Sequence, residues 1–171
     1  EFLRALPKVN LHCHLQGAIA PRTVIELAAK HGLPVPLNEA GELFDLEART
    51  TAEEREQRFF ELLDVVFAVL RDEDDFARVA YELVRDRAAP HNVRYLEIFV
   101  PPTAFAGVDY DTIVRGLCRG LDRGEREFGV RATLIAAILR EQGPQVAEEM
   151  VRTVIAHPHE RVLGIALEGP E

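Results

Sequence analysis

Four short β-branched runs alternate with stretches of helical periodicity along this chain, and that order admits few folds. The runs cover residues 9–15, 93–100, 130–139 and 162–167, each ending at a turn or a polar residue. Between them, residues 22–31, 51–71, 75–89, 110–128 and 144–157 place strong helix formers at helical spacing. Strands apolar on both faces and separated by helices predict a parallel sheet covered by helices. The first connection is the long one. Residues 21–89 hold three helices where one would suffice, with breaks at Gly32-Leu33-Pro34 and Gly41-Glu42. Phe59, Phe60, Leu63, Val66, Phe67 and Leu70 form an apolar stripe on the middle helix, which reads first as core. If the insertion overhangs the strand ends as a lid, Phe59 and Leu63 become its ligand-facing residues. No repeat or linker divides the chain, so residues 1–171 read as one unit.

The first strand closes on Leu11-His12-Cys13-His14-Leu15-Gln16-Gly17. In an extended strand, residues i and i+2 share a face, so His12 and His14 can aim at one point while Cys13 turns away. Two readings fit such a pair: ligands for one metal ion, or two half-buried histidines bonded to backbone. The C-terminal end of a parallel strand, where barrel enzymes keep their chemistry, favours the metal. Neutral imidazole suits zinc or a similar transition metal.

Composition narrows the partners. Acidic side chains outnumber basic ones by 29 to 20, the net charge is −9, and the arginines are scattered, which argues against nucleic acid. No apolar run approaches membrane-spanning length and no signal-peptide pattern opens the chain, so a soluble, cytoplasmic protein is expected. Cys13 and Cys118 lack the spacing of a disulfide framework and read as reduced thiols. Glu97, on the second strand, reads as a buried partner for Arg94 or a helix-borne arginine, and Asn10 as structural. His31, His91, His157 and His159 follow helices or lie in loops, where capping and solvent explain them.

The opening Leu6-Pro7-Lys8-Val9-Asn10-Leu11-His12-Cys13-His14-Leu15-Gln16-Gly17 resembles that of the adenosine deaminase family, a branch of the amidohydrolases. Residues 93–98, 134–140 and 162–171 resemble its second, third and fourth strands in order and spacing. The resemblance implies the first four β/α units of a (β/α)₈ barrel, a fold of about 250 residues, with a helical insertion after strand 1. It also implies that a third histidine ligand, a catalytic glutamate, a water-orienting histidine and an Asp-Asp pair follow Glu171. On that expectation this piece alone is inactive, and an open barrel edge invites self-association.

For the parent the resemblance implies one zinc, bound in part by His12 and His14, and a water that adds to C6 of adenosine or a related aminopurine with loss of ammonia. Gly169 matches the glycine whose N–H contacts a purine ring nitrogen, or is a strand-to-loop turn. Leu139 and Arg140 match pocket-lining positions; Arg140 equally suits pairing with a barrel carboxylate. Gln16 replaces an acidic residue that bonds a ribose hydroxyl, and its amide can still accept that bond. Phe99-Val100-Pro101-Pro102 and Pro170 also depart from the pattern, while Glu171 matches it and reads as structural. An amidohydrolase for another C–N bond and a non-catalytic binding module are the competing readings. Cytidine-type deaminases do not fit, because their His-x-Glu and Pro-Cys-x-x-Cys ligands are absent.

Overall fold

A computed structural model describes residues 2–34 and 51–169. After a helical turn at Phe2–Ala5, strands β1 (Lys8–His14), β2 (Val93–Val100), β3 (Arg131–Leu139) and β4 (Val162–Glu168) form one parallel sheet in the order β1-β2-β3-β4. The β1–β2 connection carries α1 (Pro21–Lys30), α2 (Ala52–Val69) and α3 (Glu73–His91); α4 (Tyr110–Phe128) links β2 to β3, and α5 (Gly143–Ala156) links β3 to β4. The alternation predicted from the sequence is present, with boundaries within about two residues. The Gly41-Glu42 break, Pro170 and Glu171 lie outside the described residues.

Register separates the faces of the sheet. Leu96, Ile98 and Val100 on β2 pair beside Ala132, Leu134 and Ala136 on β3, and all are buried on the helix-covered side. Tyr95, Glu97 and Phe99 share the concave side with Thr133 and Ile135. This side carries polar contacts: Tyr95 donates its hydroxyl to Glu97 at 3.2 Å and stands 3.1 Å from the Thr133 hydroxyl. The donor to Glu97 is thus a tyrosine two residues away, where an arginine was expected. Exposed apolar side chains gather at the sheet's edges, with Val9 and Leu11 on β1 and Leu163, Ile165 and Leu167 on β4. On β4 they share the face of Ala136 and Ile138, so the uncovered apolar surface there is the outer face.

Helices α3 and α4 make the tightest joint. Gly116, Gly120 and Gly124 recur every four residues and therefore line one face of α4. A Cβ at Gly116 would stand 2.5 Å from the Glu73 carbonyl oxygen, and one at Gly120 only 2.1 Å from that of Ala77. Three missing side chains let the two backbones touch, with Phe76, Ala80 and Val84 filling the seam. Ends are fixed by polar contacts. The Thr51 hydroxyl and Glu54 form a reciprocal capping box on α2, and Asp109 caps α4. Arg161, just before β4, donates to Asp122, Glu125 and the Ala132 carbonyl, locking the last strand onto α4 and β3.

His31 caps the end of α1, as expected, but its ring has a partner where solvent was expected. Its Nε2 lies 2.7 Å from Asp75, a buried carboxylate that also receives Lys30 Nζ at 2.7 Å and the backbone N–H groups of Arg71 and Asp72. This network ties the end of α1 to the start of α3.

Gly120→Ala is expected to destabilise the protein by about 1–3 kcal/mol, since overpacking against fixed backbone outweighs a helix-propensity gain of about 1 kcal/mol. Gly124→Ala, which meets only Val84 side-chain atoms, should cost less. Urea denaturation of the complete gene product measures both.

Candidate metal and substrate site

Strand β1 gives way to the site through an irregularity. Asn10 pairs with Leu96 and Cys13 with Ile98, so three steps on β1 oppose two on β2. The extra residue makes a bulge. The Asn10 side chain accepts the His12 N–H at 3.1 Å across it, which gives that residue the structural role read from the sequence. Beyond the bulge His14 pairs with Phe99 on the concave side and Cys13 turns under the helices.

His12 and His14 then converge, with Nε2 atoms 2.9 Å apart. Both rings stack on Phe99, at centroid distances of 4.5 and 5.5 Å. Burial and the neighbouring His12 push the His14 pKa down, which keeps its imidazole neutral as a metal ligand requires. Nitrogens about 2.0–2.1 Å from one tetrahedral ion stand roughly 3.3 Å apart, so a small opening of the pair fits zinc. Cys13 faces away from the paired imidazoles, and burial pushes its thiol pKa up.

A cavity of about 680 Å³ opens beside His14. Helix α2 walls it with Phe59, Phe60, Leu63 and Phe67, while Val66 and Leu70 face the core. The stripe thus splits between core and pocket, and Phe59 and Phe60 are close to half exposed. The strand ends supply the polar side. Leu139 lines the cavity together with Glu141 and Gln142 of the turn after β3, whereas Arg140 is not among its lining residues. Gln16 lines it from the turn after β1, its side-chain oxygen buried without a hydrogen-bond partner among the described residues. Gly169 also lines it at φ 105°, and the Glu141 carboxylate lies 2.3 Å from where a Cβ would stand. The positive φ favours glycine there, and any side chain would also have to displace the Glu141 carboxylate.

Glu168 escaped the sequence reading. It is the last residue of β4, in register with Leu139, and its Oε1 lies 3.0 Å from His14 Nδ1. Burial pushes its carboxyl pKa up, against the pull of His12 and Gln16. The signal available was its position: an acidic residue closing a parallel strand faces the same end of the sheet as the histidines. A second group, His31, Asp72 and Asp75, has ligand atoms within 4.8 Å of one another. Lys30 Nζ stands 2.8 and 2.7 Å from its two carboxylates, so an ammonium already meets their need for a cation.

Comparison with known proteins identifies the family and the fold. The family profile described as adenosine deaminase matches residues 7–171. An adenine deaminase of Gibberella zeae is 37% identical over 93% of the chain and 46% of its own length, and an aminodeoxyfutalosine deaminase of Acidothermus cellulolyticus is 34% identical over 99% and 47%. Among solved structures, a Burkholderia ambifaria amidohydrolase with bound Zn superposes with a TM-score of 0.86 at 34% identity, over 99% of this chain and 46% of that one. Adenine deaminase from Arthrobacter aurescens gives 0.85 at 32%, over 98% and 50%. N6-methyl-AMP deaminase from Arabidopsis thaliana gives 0.74 at 25%, over 99% and 51%. The chain spans about half the length of the relatives it matches. No helix among the described residues is long and apolar enough to cross a membrane.

Burial should also show in thiol chemistry. Cys13 and Cys118 are 6% and 4% exposed, and desolvation lifts Cys118 to about 12. Iodoacetamide at pH 8 should therefore label neither cysteine of the native protein appreciably and both in denaturant, as read by mass spectrometry.

Proposed function

The chain belongs to the adenosine deaminase family, and on that premise we propose that the complete protein removes the 6-amino group of a neutral aminopurine, adenine or adenosine, by hydrolysis. The carrying observation is the approach of His12 and His14 Nε2 to 2.9 Å at the edge of an aromatic-walled cavity. These two side chains supply part of the ligand set for one zinc ion. When bound, such an ion would supply hydroxide at neutral pH by making water more acidic. In the net reaction a C6–O bond forms, the C6–N bond breaks and ammonia leaves.

The rest of this half-site binds and orients. Phe59, Phe60, Leu63 and Phe67 offer flat apolar area for a heterocycle and shield it from water. Gly169 leaves room for the ring edge, and Gln16 and Gln142 bring to the wall side-chain oxygens that are buried without partners among the described residues. Buried acceptors of this kind are completed by donors, such as hydroxyl or ring N–H groups.

Charge separates the substrates that relatives use. The lining residues include Asp64, Glu141 and Glu168, and among the described residues no lysine or arginine lines the cavity. A 5′-phosphate would meet like charge, which costs several kcal/mol. A free base or nucleoside is therefore favoured over a nucleotide such as N6-methyl-AMP.

Two measurements on the complete gene product test this reading. The zinc-loaded protein is expected to release ammonia from adenine or adenosine with a kcat/KM at least about tenfold above that for AMP; turnover of AMP alone would sink the specificity argument. His12→Ala and His14→Ala should each lose bound zinc, by elemental analysis, and lose turnover with it. Retention of stoichiometric zinc in both variants would remove these residues from the ligand set.

A further inference from the structure

The contact between His14 and Glu168 joins the two edge strands of a four-stranded sheet. In a flat sheet β1 and β4 would stand three spacings apart, about 14 Å. Only strong curvature lets an imidazole on one reach a carboxylate on the other, and the side chains that meet there lie at the strands' C-terminal ends. The Glu168 side chain is 10% exposed, and its Oε1 has no hydrogen-bond partner among the described residues despite lying 3.0 Å from His14 Nδ1. The contact is close but lacks the alignment of a hydrogen bond. A buried acceptor in this position calls for a donor, and the His14 ring nitrogen 3.0 Å away is able to provide one.

Imidazole logic supplies the rest. His14 Nε2 faces His12 Nε2, the direction in which both histidines would hold an ion. A neutral imidazole that gives Nε2 to a metal carries its proton on Nδ1, and the partner of that N–H fixes both tautomer and ring orientation. Phe99 stacks on the ring and limits its tilt but offers no acceptor. Gln16 lies alongside the same carboxylate, which holds Glu168 from the β1 side.

We propose that Glu168 is the positioning residue of His14: it accepts the Nδ1–H across the sheet and so turns the Nε2 lone pair to the point that His12 addresses. This assignment rests on His14 being a metal ligand. A slight rotation of the ring, as Nε2 leaves His12 for the ion, aligns Nδ1–H with Oε1. Glu168 does not touch the reacting atoms, and its effect passes through His14.

The test uses Glu168→Leu, Glu168→Gln and Glu168→Asp in the complete gene product, with zinc as the probe. Zinc affinity is measured by competition with a chromophoric chelator, the cobalt-substituted proteins are compared by visible absorption, and the metal-free proteins are melted. Glu168→Leu should weaken zinc binding about 10–100-fold and alter the cobalt spectrum, without lowering the metal-free melting temperature. Glu168→Gln, whose amide oxygen still accepts Nδ1–H, should stay within a few-fold of the natural protein, and Glu168→Asp should fall between. Zinc held by Glu168→Leu as tightly as by the natural protein overturns the assignment, as does a Gln variant that falls as far as Leu. A natural protein that binds no zinc overturns the ligand reading of His14 itself, which is a distinct outcome.

Discussion

One extra residue in β1 decides what faces the site. Asn10 pairs on the helix side of the sheet, and strict alternation from it would send His12 and His14 under the helices and Cys13 into the cavity. The bulge between Asn10 and Cys13 inverts this, and the Asn10 side chain satisfies the His12 N–H that the bulge frees. The buried thiol, the paired imidazoles and their stacking on Phe99 all follow from that local irregularity. Bulges near active sites commonly re-aim side chains in this way.

The second requirement is a scaffold stiff enough to hold the strand ends. The glycine face of α4 lets α3 approach to backbone contact, and Arg161 clamps β4 to α4 and β3. The Asp75 network joins α1 to the start of α3 and fixes both ends of the segment that carries α2. With α2 so anchored, its four aromatic and aliphatic side chains can face the cavity while Val66 and Leu70 remain in the core. A single helix therefore serves as both core element and pocket wall.

Curvature links these parts. The reach from His14 on β1 to Glu168 on β4 shows that the four strands already follow the arc of a barrel. Exposed apolar side chains lie at the two edge strands, Val9 and Leu11 on one and Leu163, Ile165 and Leu167 on the other. The relatives that share this arc are about twice as long as this chain, and in the structures compared the chain aligns with roughly half of a barrel.

Much of this was legible in the sequence. Period and composition located the four strands and the five long helices of the described residues, but not the short helical turn at Phe2–Ala5, because strand and helix differ in local spacing and the turns carry Gly, Pro and polar residues. The His-x-His pair and its place at a strand end were equally local. Pairing and register were not. The bulge, the partition of the α2 stripe, the tyrosine donor to Glu97, the burial of His31 against Asp75 and the meeting of His14 with Glu168 each depend on which distant segments lie side by side. Residues 14 and 168 share no periodicity or motif; they meet because a parallel sheet curves, and only the folded chain sets that curvature.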